Sequence, residues 1–369
     1  MVMVDIIPEP QRKGRGAVSN ASGRFESERR IRIDDGWTPV GADGAAWQSD
    51  DLPALRTTVM ADTTRRIITT NDSPDIPFSQ SINPYRGCEH GCIYCFARPT
   101  HAYLGFSPGL DFETRLVAKF DGAKLLEAEL REPRYRCQVI AMGTNTDPYQ
   151  PIERDHQITR GILAVMKSFN QPTGIVTKSA LVTRDIDILA PMAARKLATV
   201  CVSLTTLDGQ LARNMEPRAA APHRRLATIK ALADSGIPTG VMTAPLIPGL
   251  NDAEIEDLLA AAWEAGARRV GYVLLRLPLE IKDLFSEWLE AYYPMKAKHV
   301  QSLIKDTRSG KLNDPRWGSR MRGEGPYASL IKTRFDLACR KLGFNQDRHL
   351  LDTSQFALPP KAGDQLKLW

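Results

Sequence analysis

The chain has 369 residues, 43% of them hydrophobic, and a net charge of +6 with a pI near 9.0. That length allows one large domain or two ordinary ones, and that apolar content excludes disorder throughout. No apolar run reaches the roughly 18 residues of a membrane-spanning helix, and the opening "MVMVDIIPEPQRKGRG" lacks a signal peptide's apolar core, so a cytoplasmic location is expected.

Residues 1–75 are rich in Gly, Ser, Asp and Arg and read as a mostly irregular N-terminal extension, partly wrapped on the domain. Within it, residues 11–32 hold seven basic and two acidic side chains. From Ile82 onward, short apolar runs of strand length alternate with amphipathic segments of helical period. The strand candidates are 137–143, 173–179, 198–204, 238–245 and 268–277. The helix candidates are 121–132, 156–169, 223–236 and 252–266, the last with Asn251 or Asp252 placed to cap it. With a strand before Cys88, this makes about six β/α units. The expected fold is α/β, a partial (β/α)6-type parallel barrel whose loops at the C-terminal strand ends form the site. The core domain is expected over 76–300. Residues 301–369 read as a helical, basic C-terminal extension with a tail, and 305–348 alone hold eleven basic against five acidic residues. Both basic stretches suit either a polyanion or a solvated surface.

The densest chemistry is "NPYRGCEHGCIYCFARP", where Cys88, Cys92 and Cys95 fall within eight residues. In a reducing compartment such a group reads as metal binding or catalysis rather than a disulfide framework. A structural zinc site needs four ligands, and no second cysteine hook exists; His90 or His101 completing a Cys3His site is the minor alternative. Cys137, Cys201 and Cys339 are solitary and read as small buried hydrophobes. A four-iron cluster on three thiolates explains the odd number, because it leaves one iron open to bind and activate a substrate. Gly87 and Gly91 let the loop bend around it, and Tyr94 or Phe96 can shield one side.

The CxxxCxxC loop, with an aromatic residue before its last cysteine, resembles that of the radical S-adenosylmethionine (SAM) superfamily. More narrowly, that loop with "TDPYQPIE", "TKS", "VSLTTLD", "MEPRAAAP", "PLIPGLND" and "LRLP" is similar to the spore photoproduct lyase-related group, and within it to a bacterial family of unknown substrate. The resemblance covers about residues 75–345. It implies a [4Fe-4S] cluster on Cys88, Cys92 and Cys95, S-adenosylmethionine on its open iron, and an external electron donor. It implies reductive cleavage to a 5′-deoxyadenosyl radical that abstracts hydrogen from substrate. It places Thr144, Thr146 and Asp147 near the methionine amino group, Lys178 near the carboxylate, and Ser203 near the carboxylate or ribose. "PLIPGLND" would lie near the adenine. Glu216 and Arg218 read as a charge pair, structural or substrate-facing.

One departure matters. Spore photoproduct lyases carry a hydrogen-donating cysteine in the motif after the second strand, and Thr144 occupies that position here. A hydroxyl O–H bond is too strong to replace a thiol, and Cys137 starts the strand, at the opposite end. That departure points away from repair of spore photoproduct itself and toward a relative with another substrate. The terminal Gln365-Leu366-Lys367-Leu368-Trp369 is similar to the peptide by which bacterial DNA-processing proteins bind the sliding clamp, or is a tail packed on its own domain. "RWGSRMRGEG" (316–325) mixes arginines with a tryptophan that could stack on a base. Three readings follow: a radical enzyme on nucleic acid, a radical enzyme on a protein or small molecule, and a non-catalytic iron–sulfur or zinc module.

Overall fold

The computed structural model describes residues 12–28, 55–346 and 350–360. The 365–369 tail and part of the first basic stretch lie outside the described residues. Six parallel strands form the centre: β1 (Gln80–Ile82), β2 (Ile140–Met142), β3 (Thr173–Thr177), β4 (Ala198–Ser203), β5 (Thr239–Leu246) and β6 (Arg269–Leu274). They lie side by side in sequence order, with Ile68–Thr70 added antiparallel outside β1. Ile82 pairs with Met142, Met142 with Ile175, Ile175 with Val200, and Val202 with Val241. A second, three-stranded sheet joins Thr58–Ala61, Arg115–Ala118 and Tyr85–Arg86. Two short strands thus fall within the first 75 residues, and helix Pro294–Asp306 runs through position 300.

The periodic segments form helices Gly122–Leu130, Ile158–Ser168, Pro222–Asp234 and Ile255–Glu264. Helix Ile186–Ala194 is obscured in the sequence by Pro191 inside it. The capping expectation at 251–252 is corrected. Asn251 gives no side-chain cap; it accepts from the Ile247 N–H and donates to the Thr205 and Pro245 carbonyls. Asp252 accepts from the Gly249 N–H and the Tyr327 hydroxyl.

Successive residues on a strand face opposite sides. On one face Ile140, Met142, Ile175, Val200, Val202 and Val241 pack in the main apolar core with helix residues such as Ile162, Leu189, Ile229 and Leu258. On the other face Ala141, Val176, Cys201 and Met242 are half-buried and outside every apolar cluster. Cys339 belongs to the main core. Cys137 and Cys201 do not, and are only half-buried, which corrects their reading as buried hydrophobes. Helix Gly325–Leu342 closes the β6 side, with the Phe335 ring 4.6 Å from that of Tyr272. Among the described residues no helix is long and apolar enough to cross a membrane.

Candidate active site

The cysteine loop leaves strand Tyr85–Arg86 and turns on itself: the Gly91 N–H donates to the Cys88 carbonyl and the Cys95 N–H to that of Cys92. Gly87 and Gly91 have φ of 75° and 67°, a left-handed conformation that other residues rarely adopt. A Cβ on Gly91 would stand 2.7 Å from Glu113 Oε2. Cys92, Ile93 and Tyr94 dock into a second apolar cluster with Leu211, Met215, Leu275 and Trp288, which the segments after β4 and β6 supply. The loop is thereby seated at the C-terminal strand ends.

Arg98 braces the loop from behind. It is fully buried and donates to the carbonyls of Cys92, Gly91, Pro108 and Gly109 and to Glu113 Oε1 at 2.5 Å. All five guanidinium donors are thus used. Glu113 also accepts the N–H groups of Gly16 and Ala17, each at 2.9 Å. A piece of the N-terminal extension is therefore fastened directly behind the cysteine loop. Sequence reasoning missed this hub, whose one local signal is the arginine three residues after Cys95.

Burial raises the pKa of all three thiols. For Cys88 the charges of Asp147 and of the other two thiolates add to it, so the three sulfurs sense one another. Among the described residues no three His, Cys, Asp or Glu side chains converge closely enough for a single metal ion. Three soft thiols on one short loop, whose charges reach one another, are a donor set that fits a four-iron cluster. For the zinc alternative, neither His90 nor His101 groups with the thiols as a site for one metal ion among the described residues. His101 Nε2 lies 2.9 Å from the Arg115 carbonyl oxygen and burial lowers its pKa to about 4, so the neutral ring donates there and its buried Nδ1 carries the lone pair. His90 faces Asp147 instead, its Nδ1 3.3 Å from Oδ2.

Lys178, just past β3, donates to Ser203 Oγ, at the end of β4, over 2.6 Å. Burial lowers the Lys178 pKa, opposed by the facing Cys92 and Asp147 and helped by Arg225. Its nearest carboxylate, Glu216, lies 3.8 Å away and is already paired with Arg225 and accepts from the Tyr94 and Thr205 hydroxyls. An ammonium beside the thiols with donors to spare is suited to a ligand carboxylate.

The Thr144–Asp147 turn is more occupied than expected. Asp147 accepts from the Tyr149 and Lys178 N–H groups and the Thr177 hydroxyl. Burial raises its pKa, but the facing His90 and these donors outweigh that and hold it below the ordinary value. Thr146 donates to the Tyr85 carbonyl, and Thr144 exchanges hydrogen bonds with Asn83. These side chains brace the turn against β3 and the cysteine loop. Glu216 and Arg218 do not pair with each other, which corrects that expectation: Glu216 pairs with Arg225, and Arg218 with Glu89 at 3.2 Å. Tyr94 is buried beside Lys178, whereas Phe96 is 45% exposed.

A parallel α/β partial barrel with a three-thiol loop and a lysine at its mouth defines a cofactor-dependent enzyme class. The radical SAM superfamily model matches residues 82–262. An uncharacterized protein of Mycobacterium tuberculosis is 39% identical over 232 residues, 62% of this chain and 68% of its own. One of Methanocaldococcus jannaschii is 30% identical over 215 residues, 58% of this chain and 76% of its own. Among solved structures, a spore photoproduct lyase variant with bound AdoMet and dinucleoside spore photoproduct superposes with a TM-score of 0.55 at 14% identity, over 78% of this chain and 80% of that one. The chain belongs to the radical SAM superfamily, whose cofactors are a [4Fe-4S] cluster and S-adenosylmethionine.

Proposed function

We propose that this chain is a radical SAM enzyme acting on nucleic acid, with Cys88, Cys92 and Cys95 holding the cluster. When bound, the reduced cluster and S-adenosylmethionine supply a 5′-deoxyadenosyl radical able to take a hydrogen atom from substrate. The chain's own part is binding and orientation. Lys178 sets the methionine carboxylate, Ser203 fixes Lys178, and the Thr144–Asp147 turn takes the amino group. The second apolar cluster keeps water from Cys92, and Ala97 and Phe112 pack on Cys88. The observation that carries the reading is the meeting of the Lys178 ammonium, hydrogen-bonded to Ser203, with the charges of Cys92 and Cys95 at the strand ends. Nucleic acid is favoured as substrate by the basic residues of 305–348 and by the fold shared with a lyase bound to a dinucleoside lesion.

Anaerobic reconstitution, with dithionite and S-adenosylmethionine, should yield 5′-deoxyadenosine, and ultraviolet-damaged DNA should raise the yield. No product from a protein with an intact cluster, with or without DNA, would overturn the reading. Lys178→Ala should weaken S-adenosylmethionine binding by about tenfold or more, the worth of a hydrogen bond to a charged group being about 1.5–3 kcal/mol. Equilibrium dialysis at constant iron content checks this, and unchanged affinity would remove Lys178 from the site.

A further inference from the structure

Arg276 follows β6 at the cysteine-loop end of the barrel. The buried arginines Arg98 and Arg225 are matched by carboxylates and carbonyls. Arg276 is different. It is half-buried, and among the described residues its Nε is enclosed without a hydrogen-bond partner. Its Nη1 meets Met321 Sδ at 3.4 Å, a weak acceptor. Asp75, the acid whose charge it senses, is already taken by Arg320 and by the Gly318 N–H at 2.8 Å. A half-buried cation whose neighbouring carboxylate is committed to other donors is costly, and an oxyanion placed there would offset that cost.

The surroundings say which oxyanion. The Arg276 guanidinium lies 5.5 Å from the ring of Phe96, the exposed aromatic residue directly after Cys95. Met321, which meets Arg276, belongs to a segment that includes Trp317, which is 62% exposed and has Arg316 and Arg320 close by in the chain. Asp75 and Ser73, in the loop before β1, hold Gly318 and Arg320. This segment after β6 is thereby fastened to the loop before β1, across the open side of the partial barrel. A cation beside exposed rings is how single strands of nucleic acid are held: phosphate on the charge, base on the ring.

We propose that Arg276 anchors a backbone phosphate of a nucleic-acid strand entering between β6 and β1, with a base set against Phe96. This rests on the nucleic-acid reading above. The test is fluorescence anisotropy of a short labelled single-stranded oligonucleotide over a series of salt concentrations. Arg276→Gln should weaken binding roughly tenfold and lower the salt slope by about one. Arg276→Lys should restore the slope but not the full affinity, since the planar fork is lost. Phe96→Ala should weaken binding with the slope unchanged. Iron content and S-adenosylmethionine binding should match the parent chain in both Arg276 variants. No oligonucleotide binding by the intact chain would overturn the nucleic-acid reading and this proposal together. Binding by the intact chain that Arg276→Gln leaves unchanged would overturn the anchor alone. A parallel loss of S-adenosylmethionine binding would assign Arg276 to the cofactor, and equal competition by polyglutamate would replace phosphate by carboxylate; either overturns the proposal.

Discussion

Replacing Cys92 with alanine is expected to abolish the brown absorbance of the four-iron cluster and bring iron content to background. Three thiolates leave one iron open; two would leave a second iron without a protein ligand, so the effect should be all or none. The fold should survive. Cys92 is buried in the second apolar cluster, and deleting one sulfur there costs on the order of 1 kcal/mol, against the roughly 5–15 kcal/mol that holds an ordinary domain together. Cys339→Ala is the matched control. That thiol is also buried, in the main core, and burial pushes its pKa up to about 11, yet its loss should leave iron untouched. A four-iron spectrum retained by Cys92→Ala at full intensity would remove Cys92 from the ligand set. Circular dichroism on the same samples separates loss of ligation from loss of fold.

The parts of the molecule that could be read from sequence are those written in local spacing. The parallel strands appeared because their apolar runs are continuous and their helices periodic. The three thiols appeared because they share one short loop. Lys178 and Ser203 could be singled out as strand-end residues, and the structure joins them by a hydrogen bond. What escaped depends on long-range pairing. Glu113 meets Arg98 across 15 residues and Gly16 across 97, and nothing near Glu113 marks either partner. Glu216 and Arg218 are neighbours in sequence, yet their side chains diverge to Arg225 and Glu89. Cys201 is an intermediate case. Its place two residues before Ser203 puts it on the same strand face, a signal present in the alternation but outweighed by the usual burial of lone cysteines. Arg276 carries no sequence mark at all, because what distinguishes it is the partner it lacks.

Arg98→Met should lower stability by about 3–5 kcal/mol, the cost of leaving a buried charge without its partner, and should also reduce cluster occupancy. Both side chains of the Arg98–Glu113 pair are fully buried, so water cannot screen the loss. Glu113→Gln should be milder, about 1–3 kcal/mol. The amide oxygen can still accept from Arg98, but the amide nitrogen then faces the Gly16 N–H, donor against donor. The double variant Arg98→Met, Glu113→Leu decides what the hub does. If the two residues only neutralise each other, an apolar pair of similar size should restore near-parental stability. If they hold the loop, no recovery should follow. The carbonyls of Gly91, Cys92, Pro108 and Gly109 and the N–H groups of Gly16 and Ala17 would all lose their partners together. The hydrogen-bond count favours the second outcome: four backbone carbonyls on one guanidinium make Arg98 a loop scaffold first and a charge partner second. Urea midpoints and iron per chain, measured on the two single variants and the double, test it; parental values for the double variant would reduce the hub to charge compensation.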